Sequence, residues 1–233
     1  MSKYVRFGLI AVGMVLVFTT FSVPQTHAQV LAQILKRMDD HNKALSSIRA
    51  DVTMVKTNSQ LGPSATDTMV GSTSYLPKTN KHAMTVRIDW TKPVQEQIWV
   101  SGDNYELYRP RLNQVIVGKT NSAKNNAAVG GALSFISMSR EQLKANFTIV
   151  YLGEDQISGG TKTWHLELTP KAATSYKTAE MWVDGDGMPR QVKINEQNKD
   201  TTTVLLSNIK KNESMKVETF KPTYPTSVKK IKS

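Results

Sequence analysis

The sequence predicts a mainly β fold with helices: about eleven antiparallel strands curled into a barrel or half-barrel, with helical segments on the open side. Three observations carry this. Apolar and polar residues alternate with a period of two in one segment after another, the mark of strands with a single buried face. Turn-forming runs such as Ser101-Gly102-Asp103-Asn104, Ser158-Gly159-Gly160 and Asp184-Gly185-Asp186-Gly187 separate these segments at short spacing. Such spacing suits antiparallel neighbours, because parallel ones need crossovers of roughly a dozen residues or more. A flat sheet of this size would leave its apolar face in water, so it must curl, split or close.

The first 28 residues read as an export signal. Lys3 and Arg6 lead an apolar run over 7–21, and Thr26-His27-Ala28 offers a site for cleavage after Ala28. The run is shorter than the roughly 20 residues that span a membrane. The expected product is one soluble domain over 29–233, outside the cytoplasm. The chain has no cysteine, which excludes a lipid-modified cysteine anchor, disulfides, thiol nucleophiles and thiolate metal sites.

Val30, Leu31, Ile34, Leu35, Met38 and Leu45 then recur at helical spacing, so an amphipathic helix opens the domain. The period changes to two at Ile48, Ala50, Val52 and Met54, which begins the sheet. Met84, Val86, Ile88 and Trp90 repeat the pattern, as do Trp164, Leu166 and Leu168. Shorter segments over 70–76, 95–100, 105–108, 114–117, 147–152, 179–183, 190–195 and 201–209 complete the set. One insertion, about 121–146, breaks the meander: a small polar stretch, an apolar run with Leu133, Phe135, Ile136 and Met138, and a short helix opened by a Ser139/Gln142 capping box. Connections of this length in compact domains tend to be functional, and both a lid and a helical plug fit the pattern.

The formal charge is +11, and removing Lys3 and Arg6 with the acid-free leader leaves +9. Such a surface favours anionic partners, here an anionic membrane surface or an acidic docking protein. Nucleic acid is not among them, because the lysine clusters Lys210-Lys211 and Lys229-Lys230-Ile231-Lys232 lack the interleaved aromatics of a stacking platform. No nucleophile elbow, zinc-binding helix motif, phosphate loop or dinucleotide fingerprint is present. His41 falls on the polar side of the first helix, His82 in a turn and His165 on the outward parity of its strand, none with a recognisable catalytic partner. Asp184-Gly185-Asp186-Gly187 has the start of a calcium loop, but Asn195 stands where its twelfth-position glutamate belongs, so it reads as a hairpin turn. These residues indicate no metal, no cofactor and no enzyme.

Over nearly the whole expected domain the sequence resembles the LolA family of periplasmic outer-membrane lipoprotein carriers. The resemblance rests on collinear phrases: Ile88-Asp89-Trp90-Thr91-Lys92-Pro93, Glu96-Gln97-Ile98-Trp99-Val100-Ser101-Gly102-Asp103, Leu107-Tyr108-Arg109-Pro110, Leu168-Thr169-Pro170-Lys171 and Phe220-Lys221-Pro222. It implies an incomplete antiparallel barrel with a helical lid around an apolar cavity for lipoprotein acyl chains. It further implies a monomeric periplasmic chaperone that takes lipoproteins from an inner-membrane ABC transporter and passes them to an outer-membrane receptor. Val86, Ile88 and Trp90 are then expected in the cavity, with Trp99, Leu107 and Trp164 beside them and Leu133, Phe135, Ile136 and Met138 on the lid. Where the family holds its lid with an arginine after the second strand, this chain has Lys78, which lacks the planar fork of arginine. A lipid or glycolipid carrier or sensor of the same superfamily is the alternative, and an envelope-acting enzyme a further one.

Overall fold

The structure is a computed structural model that describes residues 26–62, 64–119, 135 and 138–232. α1 (His27–Ala44) opens it. Its start is closed by a reciprocal box: the Thr26 hydroxyl accepts from the Gln29 backbone N–H, and the Gln29 side chain accepts from the Thr26 N–H. This satisfies backbone donors that a helix start leaves unpaired. The expected cut after Ala28 therefore falls within the first turn of this helix. Ile34, Leu35 and Met38, on one face, are buried.

Twelve strands form one open sheet: β1 (Ile48–Thr57), β2 (Thr66–Leu76), β3 (Thr85–Lys92), β4 (Glu96–Ser101), β5 (Asn104–Arg109), β6 (Gln114–Lys119), β7 (Phe147–Ile157), β8 (Thr161–Pro170), β9 (Tyr176–Asp184), β10 (Pro189–Glu196), β11 (Thr201–Lys211) and β12 (Lys229–Lys232). α2 (Arg140–Asn146) precedes β7. The spatial order is β12-β6-β5-β4-β3-β2-β1-β11-β10-β9-β8-β7. Two antiparallel meanders thus meet where β1 pairs with β11. β6 and β7 are consecutive in the chain but lie at or beside opposite edges, so the insertion joins the two ends of the sheet.

One strand exceeds the expected set. Lys229-Lys230-Ile231-Lys232, noted above only as a lysine cluster, pairs in parallel with β6, placing Ile231 opposite Ile116. Only its backbone is needed for this, and lysine-rich edge strands are favoured because they discourage pairing with further chains.

Cross-strand register divides the sheet into two faces. The inner face, covered by α1 and α2, carries Ile48, Ala50, Val52 and Met54 of β1, Val86, Ile88 and Trp90 of β3, Leu166 and Leu168 of β8, and Met181 and Val183 of β9, all in one core with Leu35, Met38 and Leu143. α1 is seated on the β9–β10 turn, where Arg37 Nη1 donates to Gly185 O at 2.8 Å. Gly187 in that turn has φ +88°, and a Cβ there would collide with the Arg37 carbonyl, so both conformation and contact require glycine.

The outer face is held differently. After β11 the chain crosses it through a short 3-10 turn (Val217–Phe220) whose Phe220 is buried. Arg87 makes a two-pronged ion pair with Asp89, at 2.7 and 2.9 Å, and donates to Thr219 O at 3.0 Å. Tyr224 donates to Glu106 at 3.2 Å, and the segment ends where Lys229 N donates to Asn113 O.

Candidate functional site

The inner face is the candidate site. Val86, Ile88 and Trp90 are buried in the central core and share this face, as their alternation predicts. Register extends the wall: Ile88 faces Thr73 on one side and Ile98 on the other, and Ile98 in turn faces Leu107, which is buried. Trp164, opposite Val183, packs against the other flank of the same core, with the Arg37 guanidinium 5.4 Å from its ring centroid. Apart from rings such as Trp90 and Trp164, the surface is mostly aliphatic and methionine side chains, which adapt to varied shapes more readily than a wall of rings.

Trp99 departs from expectation. It pairs with Arg87 and Glu106, so its side chain belongs to the outer face, where Lys221 Nζ lies 5.6 Å from its ring. The error arises because Ile98-Trp99-Val100 is apolar throughout and leaves parity ambiguous. Only pairing with the unambiguous Arg87 resolves it.

Of the expected lid residues, Phe135 is buried in the core with its ring 5.4 Å from that of Phe147, and Met138 packs against the same core. Leu133 and Ile136 lie outside the described residues. The capping box forms as predicted: Ser139 accepts from Gln142 N at 3.2 Å, and Gln142 accepts from Ser139 N at 2.9 Å.

Lys78 is exposed in the loop after β2. The described part of the insertion is tied instead by Asn42 of α1, whose Nδ2 donates to Met138 O at 2.9 Å, and by Lys171 Nζ donating to Lys144 O at 2.6 Å. Sequence reading missed Asn42, and its partner 96 residues away gives no local signal.

Two polar groups sit uneasily within this packing. The Trp90 indole N–H is buried without a hydrogen-bond partner among the described residues. Such an unpaired donor costs about 1–3 kcal/mol. His41 is also more enclosed than a polar-face position implies: its Nε2 is buried, with no hydrogen-bond partner among the described residues. Burial, aided by the Lys211 charge, pushes its pKa below the ordinary value, partly offset by Asp184 and Asp186.

On the outer face, His165 is no free surface residue. It stacks on Trp182 with centroids 4.2 Å apart and pairs through Nε2 with Glu180 at 2.9 Å, while Trp182 Nε1 donates to Asp155 at 2.8 Å. Burial alone would raise the Glu180 pKa. Hydrogen bonds from Asn195, Lys193 and His165, with the Lys193 charge, outweigh it and hold the carboxyl below its usual range. This cross-strand network clamps β8, β9 and β10. The Asp184 turn is the expected hairpin, its Oδ1 accepting from Asp186 N and Met188 N. No described helix is long and apolar enough to cross a membrane.

The fold is an open, largely antiparallel sheet, a half-barrel whose apolar inner face is packed under helices. The comparisons place it more narrowly. The profile of the family described as outer membrane lipoprotein carrier protein LolA matches residues 80–223, and the chain belongs to that family. No curated protein matches the sequence. Among solved structures, an uncharacterized conserved protein from Thermus thermophilus is 12% identical with a TM-score of 0.56, over 88% of this chain and 100% of that one. MucB is 12% identical with a TM-score of 0.52, over 82% of this chain and 62% of that one. The lipoprotein LppX of Mycobacterium tuberculosis is 18% identical, with a TM-score of 0.49, over 81% of this chain and 98% of that one. At these identities the likeness concerns the fold.

Proposed function

We propose that this protein is a periplasmic carrier that shields the acyl chains of lipoproteins against the inner face of its sheet while they travel from inner to outer membrane. The observation that carries the reading is the contrast in how that face is covered. Its core residues are mostly aliphatic and methionine, with Trp90, Phe135 and Phe147 among them, and among the described residues the helical cover rests on apolar packing with polar ties such as Arg37 to Gly185 O and Asn42 to Met138 O. Membership of a lipoprotein-carrier family supports it.

Burial is worth about 0.8 kcal/mol per methylene, so acyl chains that replace the cover on this face become soluble without full enclosure. Partial shelter also permits release, which a sealed cavity would oppose. Val86, Ile88, Trp90, Leu107 and Trp164 form the acyl-contacting wall, while Phe135 and Met138 belong to the part that moves. The protein does no covalent chemistry. Residues 1–28 direct export and are cleaved, which removes the Thr26 cap and leaves Gln29 at the start of α1. An inner-membrane ABC transporter loads the carrier and an outer-membrane receptor unloads it. The basic surface assists at anionic head groups.

Release of newly made lipoprotein from spheroplasts into the soluble fraction tests this reading. Added wild-type protein should release lipoprotein, and Val86→Arg should not. Equal release by both would refute the assignment of the inner face, and no release by wild type would refute lipoprotein carriage.

A further inference from the structure

The Trp90 indole N–H has no partner among the described residues, although Trp90 is only 2% exposed. Buried donors in folded proteins are nearly always paired, so an orphan on a binding wall calls for a function. Register places Trp90 on the inner face at the end of β3, between Gly71 of β2 and Glu96 of β4. The register shifts between Val70 and Gly71, and a Cβ at Gly71 would collide with the Asp89 carbonyl, so β2 approaches β3 too closely here for any side chain. The indole therefore borders a position with no side chain on the β2 side and Glu96 on the β4 side, beside the aliphatic Ile88 and Val86 of its own strand.

We infer that Trp90 Nε1 is a ligand-directed donor, which binds the carbonyl oxygen of an ester that joins an acyl chain to its head group. An indole is suited to this, since it is a donor only and lays its apolar ring against the chain while its N–H meets the one polar atom the chain carries. The inference rests on the acyl-carrier reading and adds a register to it. Methylenes slide freely along an aliphatic wall, whereas a single donor fixes where the ester stops. Trp90 then distinguishes ester-linked chains from hydrocarbon of equal length, which its aliphatic neighbours Val86 and Ile88 cannot do.

The test compares dioctanoyl phosphatidylglycerol with its dioctyl ether counterpart, which has the same chains and charge but lacks the ester carbonyls. Wild-type protein should bind the ester probe about fivefold more tightly, the worth of one ordinary hydrogen bond. In Trp90→Phe the ratio of ester to ether affinity should fall to about one, whatever the change in overall affinity. In wild type, the indole N–H resonance of Trp90, assigned from its through-bond and through-space connectivities in the wild-type protein itself, should move downfield with the ester probe only. That second readout does not depend on the variant folding. Equal ester-to-ether ratios in both proteins, or an indole resonance that responds alike to both probes, would overturn the inference. Failure of wild type to bind either probe would instead overturn the acyl-lipid reading beneath it.

Discussion

The two faces of the sheet solve the problem of covering apolar surface in opposite ways. The inner face meets α1 and α2 through Leu35, Met38, Leu143 and Phe135, groups that pack well but impose no direction on one another. The outer face is sutured to the C-terminal segment by directed groups: Arg87, held in place by Asp89 on its own strand, on Thr219 O, Tyr224 on Glu106, and Lys221 over Trp99. Charge-assisted, two-pronged bonds fix geometry, whereas aliphatic contacts are exchanged for other aliphatic contacts at little cost. A surface that exchanges its cover for acyl chains, as proposed for the inner face, would belong to the first kind. A surface that keeps the half-barrel intact meanwhile belongs to the second.

Substitutions on either side of β3 give the largest test of this division. Ile88→Ala, on the inner face, should cost about 2–5 kcal/mol in urea unfolding, since a buried isoleucine is emptied to a methyl. Its sequence neighbour on the outer face should behave differently in kind. Arg87→Met should cost about 1–3 kcal/mol through lost charged hydrogen bonds and a stranded Asp89, yet leave acyl-probe affinity within about twofold of wild type. If Arg87→Met weakens probe binding as much as an inner-face charge does, the faces are not independent.

The polar ties of the inner cover come next. Asn42→Ala removes the bond to Met138 O and should cost about 1 kcal/mol, with acyl-probe dissociation accelerated several-fold in stopped flow. Unchanged dissociation would show that this tie does not hold the cover. Smallest is the pH response of the outer clamp. The Glu180 carboxyl is held below its ordinary range in the folded protein, so its contribution is present above the ordinary carboxylate pKa and is lost as pH falls through the lowered one. Glu180→Gln should lower Tm by roughly 2–4 °C at pH 7, and the difference should shrink toward zero below about pH 4. A difference that persists in acid would assign the loss to packing.

What could be read in the sequence was local. The Ser139/Gln142 box spans three residues, and the β3 alternation is set by charged neighbours, Arg87 and Asp89, which leave no doubt about parity. Trp99 was misplaced because Ile98-Trp99-Val100 offers no polar residue to mark the outward face. β12 escaped because an edge strand formed by backbone pairing needs no apolar pattern. Asn42 and Met138, and likewise His165, Trp182 and Asp155, meet only through the fold, and nothing at one position announces the other. The Trp90 donor, without a partner among the described residues, belongs with these, since a missing partner is visible only in the fold.

The central claim is that the inner face carries acyl chains, and native mass spectrometry of the protein, isolated gently from an expressing Gram-negative cell, tests it most directly. The account predicts a bound mass of acylated lipid or lipoprotein on wild-type protein, reduced or lost in Val86→Arg and retained in Arg87→Met. Wild-type protein that is empty in every preparation would contradict it.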